Sequence, residues 1–164
     1  MLPYFRVLLP FVALAFLLPS CTSNDTPPRI LIFSKTEGYR HDCIPVATAA
    51  LRKLCLANGI AVDTTEDAAD FTAKNLKRYN TVVFLCTTGD VLNPAQETDF
   101  QRYIQAGGGY VGIHAATDTE YGWTWYGGLA GGDFSSHPAQ QEATLHIENH
   151  EHPATRHLPG NEWK

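Results

Sequence analysis

The chain has 164 residues, of which 44% are hydrophobic and 18% charged, and its formal net charge is −5 at pH 7. This length and apolar content are enough for one domain with a sizeable core. Acidic and basic residues are mixed along the chain without blocks, and the acidic balance argues against nucleic acid or an anionic lipid surface as a partner.

The first 20 residues have the features of a secretory signal. Arg6 precedes the apolar run 7–18, which is shorter than the roughly 20 residues that span a bilayer. Residues 18–21, LPSC, resemble the lipobox of bacterial lipoproteins. This resemblance implies cleavage before Cys21 and lipidation of its thiol, and several acyl chains anchor a protein firmly at about 0.8 kcal/mol per buried CH₂. The alternative is an ordinary cleaved signal that leaves Cys21 free.

The predicted organisation has three parts: a signal peptide at residues 1–20, a polar tether at 21–28 and one domain at 29–164. We expect an exported protein that is anchored to a bacterial membrane and faces the periplasm or the cell surface. The chain contains no Cys-x-x-Cys pair, which disfavours a structural zinc site. No closing element follows the last predicted strand before Lys164, so we expect the domain to be truncated at its C-terminus.

Strands and helices alternate along the domain. Apolar runs at residues 29–34, 60–64, 81–86 and 110–113 predict four strands, and a further strand is predicted near 143–147. Runs that are apolar throughout are typical of strands buried on both faces. This alternation predicts an α/β domain whose open parallel sheet carries helices on both faces.

Two helices are predicted between these strands. The first begins at Pro45, since proline is favoured at the first helical position, and ends at Asn58-Gly59. The second has Asn93 and Gln96 at the spacing of a capping box. The predicted apolar stripe of the first helix is Ile44, Ala47, Leu51 and Leu54, and that of the second is Phe100, Tyr103 and Ile104.

Polar segments follow three of the strands, at residues 34–42, 86–90 and 114–118. Ligands of open parallel sheets bind beyond the carboxyl ends of the strands, at the switch point of the topology. We therefore expect a small-molecule site there. Its candidate catalytic residues are His41, Asp90, His114 and Asp118, and its candidate substrate contacts are Lys35, Arg40 and Thr88.

His114 is the leading candidate, because residues 112–116 follow a strand and precede a turn in the manner of a nucleophile elbow. Such an elbow lifts one side chain clear of the sheet, and here that side chain is a histidine. It could act as a base, a metal ligand or a sugar contact, or it could only stabilise the turn. Asp118, four residues later, could be its partner.

Structural alternatives remain open for the other candidates. Arg40 could bind an anionic or polyhydroxy ligand or could pair with an acid. His41 could be an acid, a base or a ligand, and Asp90 could belong to an ordinary Gly-Asp turn. Cys86 is more typical of a small core residue than of a nucleophile.

The segment 118–138 is rich in glycine and aromatic residues and lacks a clear period, which is typical of a functional loop. Its aromatic side chains could stack on sugar rings or could form a core patch under the loop. His137 could join His41 and His114 in a site for a divalent metal such as zinc. The candidate stacking residues are Trp123, Trp125 and Tyr126.

In combination, residues 32–35 (IFSK), 38–41 (GYRH), 107–114 (GGGYVGIH) and 152–155 (HPAT) resemble the ThuA-like, or trehalose-utilisation, family over residues 30–164. The resemblance implies a flavodoxin-like fold related to class I glutamine amidotransferases, and a role with trehalose, related disaccharides or their keto forms.

Those amidotransferases use a cysteine at the elbow, which His114 replaces here, so cysteine-dependent glutamine hydrolysis is not expected. Three hypotheses follow. The first is a sugar-active protein using acid–base or metal-assisted chemistry, and the second is a non-catalytic carbohydrate-binding lipoprotein. The third, which we favour least, is a residual amidohydrolase that uses Cys86.

Overall fold

The computed structural model describes residues 26–164. The predicted signal peptide and Cys21 lie outside these residues, so both stay predictions. Within the described part of the chain, no helix is long and apolar enough to cross a membrane. A four-stranded sheet and a separate two-stranded ribbon make up its β-structure.

The four strands of the main sheet agree with the sequence-based prediction to within one residue at each end. They are β1 (Arg29–Phe33), β2 (Ala61–Thr65), β3 (Thr81–Leu85) and β4 (Gly109–Ile113). All neighbours are parallel, in the spatial order β2-β1-β3-β4. The chain goes from β1 to β2 on one side and to β3 on the other, so the switch point lies between β1 and β3.

Helices cover both faces of the sheet, as predicted. They are α1 (Ile44–Ala57), α2 (Ala73–Leu76), α3 (Pro94–Gln105) and α4 (Thr124–Ala130). Successive strand residues point to opposite faces. Leu31 and Phe33 therefore pack in the core shared with α2, α3 and α4, whereas Ile32 packs on the side of α1.

The first helix differs from its prediction at two points. It begins at Ile44 with Cys43 as N-cap, so Pro45 is the second helical residue, where its missing N–H is equally harmless. Leu54 was predicted to face the core but is 61% exposed, and Cys55 is buried instead. The other predicted stripe residues pack against the sheet: Ile44, Ala47 and Leu51.

The other predicted helix boundaries are confirmed. Asn58 is the C-cap of α1, and Gly59 follows it with a φ of +69°. At the start of α3, the Asn93 side chain accepts a hydrogen bond from the Gln96 backbone, and the Gln96 side chain accepts one from the Asn93 backbone. This capping box orients Phe100 into the core, where it is fully buried.

The segment 118–138 is not wholly irregular, because α4 lies within it. Gly127 and Gly128 lower helix propensity, which explains why no helical pattern was apparent. Burial of Tyr126 against the sheet outweighs that local preference.

The strand predicted near 143–147 is present but does not join the main sheet. It is the short β5 (Leu145–His146), which pairs antiparallel with β6 (Glu162–Trp163). Both strands are exposed, so they add nothing to the core.

Candidate functional site

The three polar segments lie side by side at the carboxyl edge of the sheet, joined by backbone hydrogen bonds. The Glu37 N–H donates to the Thr88 carbonyl over 2.8 Å, which joins the loops after β1 and β3. The Gly89 N–H donates to the Asp118 carbonyl over 2.8 Å, and the Glu120 N–H donates to the Gly89 carbonyl over 3.2 Å. The loop after β3 thus holds its two neighbours in a fixed register.

Glycine permits this close approach at residue 89. Gly89 has a φ of +76°, and a Cβ there would lie 3.1 Å from the backbone nitrogen of Gly38 and 3.2 Å from the carbonyl carbon of Glu37. A side chain at this position would therefore meet both backbone strain and a steric clash.

The histidines of two different loops are in contact at this edge. The His41 and His114 ring centroids are 4.5 Å apart with an interplanar angle of 71°, and Tyr39 lies edge-on to His41 at 4.9 Å. His114 has a φ of +55° directly after β4 and is exposed, so the turn lifts its imidazole as predicted. A ligand above the edge could reach both rings.

Two imidazoles in contact can serve as a base and an acid toward one ligand, which is the arrangement of a general acid–base pair. Their ring nitrogens also suit hydrogen bonds to sugar hydroxyls, so the same geometry fits binding without turnover.

The carboxylate expected to assist His114 is engaged elsewhere. Asp118 accepts a hydrogen bond from the Tyr121 hydroxyl, and this bond raises the pKa of Tyr121 to about 12. The second acidic candidate, Asp90, is exposed beside the same edge.

The basic candidates already have partners. The guanidinium of Arg40 forms an exposed ion pair with Glu66 at 2.7 Å, and this hydrogen-bonded carboxylate raises the pKa of Arg40. The ammonium of Lys35 donates to the Val91 carbonyl over 3.0 Å and lies 2.9 Å from Glu37. Lys35 thus connects the loop after β1 to the loop after β3 through a hydrogen bond.

Thr88 also has a structural contact. Its side chain is 1% exposed, and its hydroxyl donates to the Tyr39 carbonyl over 2.9 Å. This bond positions the segment that leads into His41.

The aromatic candidates form part of the core rather than an open stacking surface. Tyr126 is fully buried and donates to the Ala116 carbonyl over 2.8 Å, so it offers no ring face to a ligand. Trp123 and Trp125 stack at 5.0 Å and pack against that core, yet both remain partly exposed.

The predicted three-histidine metal set is not formed. Within residues 26–164, no group of three or more His, Cys, Asp or Glu side chains has the arrangement of a metal site. His137 contacts Phe134 and the Pro138 carbonyl in an exposed segment.

Two features of the site were missed from the sequence. Glu120 is 2% exposed and accepts hydrogen bonds from the N–H groups of Val91 and Leu92, and burial raises its pKa to about 7. The Cys43 sulfur lies 3.8 Å from that of Cys86. The spacing of residues in the sequence indicates neither the Glu120 hydrogen bonds nor the Cys43–Cys86 contact, because each joins segments that only the folded sheet brings together.

Burial raises the pKa of the Cys86 thiol to about 11, with Cys43 adding to the shift. At neutral pH the thiolate is therefore scarce. This speaks against Cys86 as the nucleophile of a residual amidohydrolase.

Depressions lie at both ends of the sheet in the part of the chain that the structure describes, and two of them differ in size and position. The larger, about 510 Å³, is lined by Arg29, Tyr79 and Asn80 at the amino ends of the strands, far from the histidines. The smaller, about 380 Å³, is lined by Ser34, Thr65 and neighbouring residues at the carboxyl edge. The smaller depression lies at the ends of β1 and β2, beside the switch point between β1 and β3, and neither depression is lined by His41 or His114.

By strand order and layers, the molecule is an α/β protein of the flavodoxin-like class. The family model for ThuA, trehalose utilisation, matches residues 29–164. A ThuA-like protein from Bacteroides uniformis ATCC 8492 of known crystal structure is 28% identical with a TM-score of 0.70, and the match covers 85% of this chain. The chain belongs to the ThuA family.

The match spans 58% of the Bacteroides protein's length. No curated protein matches the chain.

Proposed function

We propose that this protein acts on a disaccharide of the trehalose type, or on its keto derivative, at the edge that carries His41 and His114. Membership of a trehalose-utilisation family supports the sugar context. The observation that carries the proposal is the 4.5 Å contact between the two imidazoles, on loops held in register by backbone hydrogen bonds.

In this proposal one imidazole removes a proton from the carbon next to the keto group of the sugar, and the other donates a proton to the carbonyl oxygen. The C–H bond breaks, an O–H bond forms and the product is an enediol. Such a pair typically contributes 10²–10⁴-fold to a rate. Asp90, which is exposed on the loop after β3, would contact a sugar hydroxyl. Lys35 and Thr88 hold the loops, so they are positioning residues.

We also propose export and membrane anchoring through Cys21. The short apolar run and the LPSC sequence support it.

The experiment is incubation of the purified protein with trehalose, related disaccharides and their keto forms, with products followed by proton NMR. We expect His41→Gln and His114→Gln each to lower turnover at least tenfold with the melting temperature unchanged. His157→Gln is the matched control, because His157 is exposed and outside the site. Unchanged turnover in both site variants would remove the histidine pair from the mechanism.

A second candidate function is carbohydrate binding without catalysis. It is favoured by the partly exposed Trp123–Trp125 stack, which could pack against a sugar face, and by the absence of a serine or cysteine at the elbow. Calorimetry should then detect binding, and NMR should return the sugar unaltered. Chemical change in the sugar would exclude this function in favour of the first.

A further inference from the structure

Cys43 and Cys86 are a pair of thiols that the proposed sugar chemistry does not use. Their sulfurs are 3.8 Å apart, although 43 positions separate them in the chain. A disulfide bond is about 2.05 Å long, so closure requires an approach of less than 2 Å. Rotation of the Cys43 side chain could supply it, because Cys43 is the N-cap of α1 but makes no capping hydrogen bond through its side chain.

The two thiols differ in access. Cys43 is exposed, whereas Cys86 is 2% exposed. The backbone N–H of Cys86 donates to the Ile113 carbonyl over 3.1 Å, which holds it against the end of β4. An external reagent would therefore reach Cys43 first, and Cys86 would be reached only from Cys43.

We propose that Cys43 and Cys86 form a reversible disulfide at the carboxyl edge of the sheet. The Cys43 thiolate attacks an external disulfide, such as oxidised glutathione, and releases one thiol. Cys86 then attacks the Cys43 sulfur of this mixed disulfide, and its proton passes to the thiolate that leaves. The 3.8 Å separation keeps the two sulfurs in contact, so a small thiolate fraction is sufficient for this intramolecular step. The two protein thiols lose two electrons and two protons in total, and the external disulfide gains them.

The location gives this bond a consequence for the site. Cys43 lies two residues after His41, and Cys86 is bonded through its backbone to the residue before His114. A Cys43–Cys86 bond would therefore crosslink the loop that carries His41 to the loop after β3, which is hydrogen-bonded to the end of β4 directly before His114. Closure of a chain loop of roughly 40 residues also restricts the unfolded state, which stabilises the fold.

The test is disulfide mapping of the purified full chain after equilibration in glutathione buffers of defined ratio. Cysteines are blocked by alkylation, and the digested protein is analysed by mass spectrometry without reduction. We expect a Cys43–Cys86 crosslinked peptide in oxidising buffer, converted to two alkylated peptides in reducing buffer. The Cys55→Ser variant removes the third free cysteine of residues 26–164 and should form the same crosslink as the wild-type protein. The Cys43→Ser and Cys86→Ser variants should form no crosslink.

Thermal melting provides a second measurement that uses no sugar and so is independent of the proposed function. Reductant should lower the Tm of the oxidised wild-type protein and of Cys55→Ser on the order of 10 °C, and leave that of Cys43→Ser unchanged. The proposal would be overturned if Cys43 and Cys86 were both recovered as alkylated thiols from oxidising buffer. A crosslink that involves Cys55 would also overturn it. So would a glutathione adduct on Cys43 without any Cys43–Cys86 crosslink.

Discussion

Within residues 26–164, three residues other than glycine have a positive φ: Cys86 at +52°, His114 at +55° and Glu120 at +57°. All three lie at the carboxyl edge of the sheet. A left-handed conformation costs a non-glycine residue roughly 1–2 kcal/mol, and such strain clusters at functional sites. The hydrogen bonds between the strand-end loops hold these residues in place.

Because of this backbone strain, a substitution at His114 can raise the free energy of unfolding and still lower the activity. We predict that His114→Gly keeps or raises the free energy of unfolding, by up to ~1 kcal/mol, because glycine adopts this conformation without strain and the imidazole is exposed. Sugar turnover or binding should nevertheless fall. Urea unfolding beside an activity assay checks both effects. The control is His157→Gly, where glycine relieves no positive φ and should cost a few tenths of a kcal/mol to ~1 kcal/mol.

The buried carboxyl group of Glu120 should make the free energy of unfolding depend on pH. Burial raises its pKa from 4.5 to about 7, and the nearby Glu97 and Asp90 carboxylates add to this, although the bonds from Val91 and Leu92 act in the opposite direction. The folded state therefore holds the proton more tightly than the unfolded state. The stability this contributes is fully present below about pH 4.5 and is lost as the pH rises through about 7.

Glu120→Gln keeps a side-chain oxygen for the two N–H donors and removes the titration. Between pH 5 and 8, we predict that the unfolding free energy of the wild-type protein falls by up to ~3 kcal/mol more than that of the variant. Urea unfolding at several pH values measures this. An identical pH slope in the two proteins would show that Glu120 does not titrate in this range.

Among the structural elements, the close approach of the loops after β1 and β3 requires glycine at position 89. Gly89→Ala should destabilise the protein by ~1–3 kcal/mol, because the added Cβ meets the backbone of Glu37 and Gly38 at a positive φ. Denaturant unfolding is the measurement. In Gly128→Ala, the new Cβ has nothing within 4 Å and lies in α4, so that variant should be neutral or slightly stabilised. Equal effects would contradict the proposed close packing.

Elements with local signals were predictable, and those that depend on long-range packing were not. The four buried strands and the Asn93–Gln96 capping box follow from apolar runs and cap spacing. In contrast, α4 forms because Tyr126 gains burial against the sheet, and Leu54 faces solvent because Cys55 takes the core position. Both outcomes depend on neighbours distant in sequence.

The same distinction applies to the site. The elbow at His114 is a local strand–turn feature, so the sequence revealed it. Its contact with His41 follows from strand order, which places the loops after β1 and β4 near each other across the loop after β3. The engagement of Asp118 by Tyr121 and of Arg40 by Glu66 requires side-chain geometry that spacing does not encode.

Lipid attachment at Cys21 would hold the ThuA domain at a membrane surface. Expressed in a bacterial host, the wild-type chain should partition into detergent, whereas Cys21→Ser should partition into the aqueous phase, because the serine hydroxyl does not accept the thioether-linked lipid. Detergent phase separation followed by mass spectrometry of the N-terminal peptide measures this. The Cys55→Ser variant controls for general effects of cysteine loss. Aqueous wild-type protein without acyl mass would contradict anchoring through Cys21.

The proposed function requires His41 and His114 to contact the sugar as one unit. The most direct measurement is NMR of the imidazole groups in histidine-labelled protein, assigned with His41→Gln and His114→Gln, during titration with trehalose and its keto forms. We predict that the two imidazole signals shift together with one apparent Kd, while the signal of His157 stays in place. A sugar that binds or turns over without moving either signal would contradict the claim.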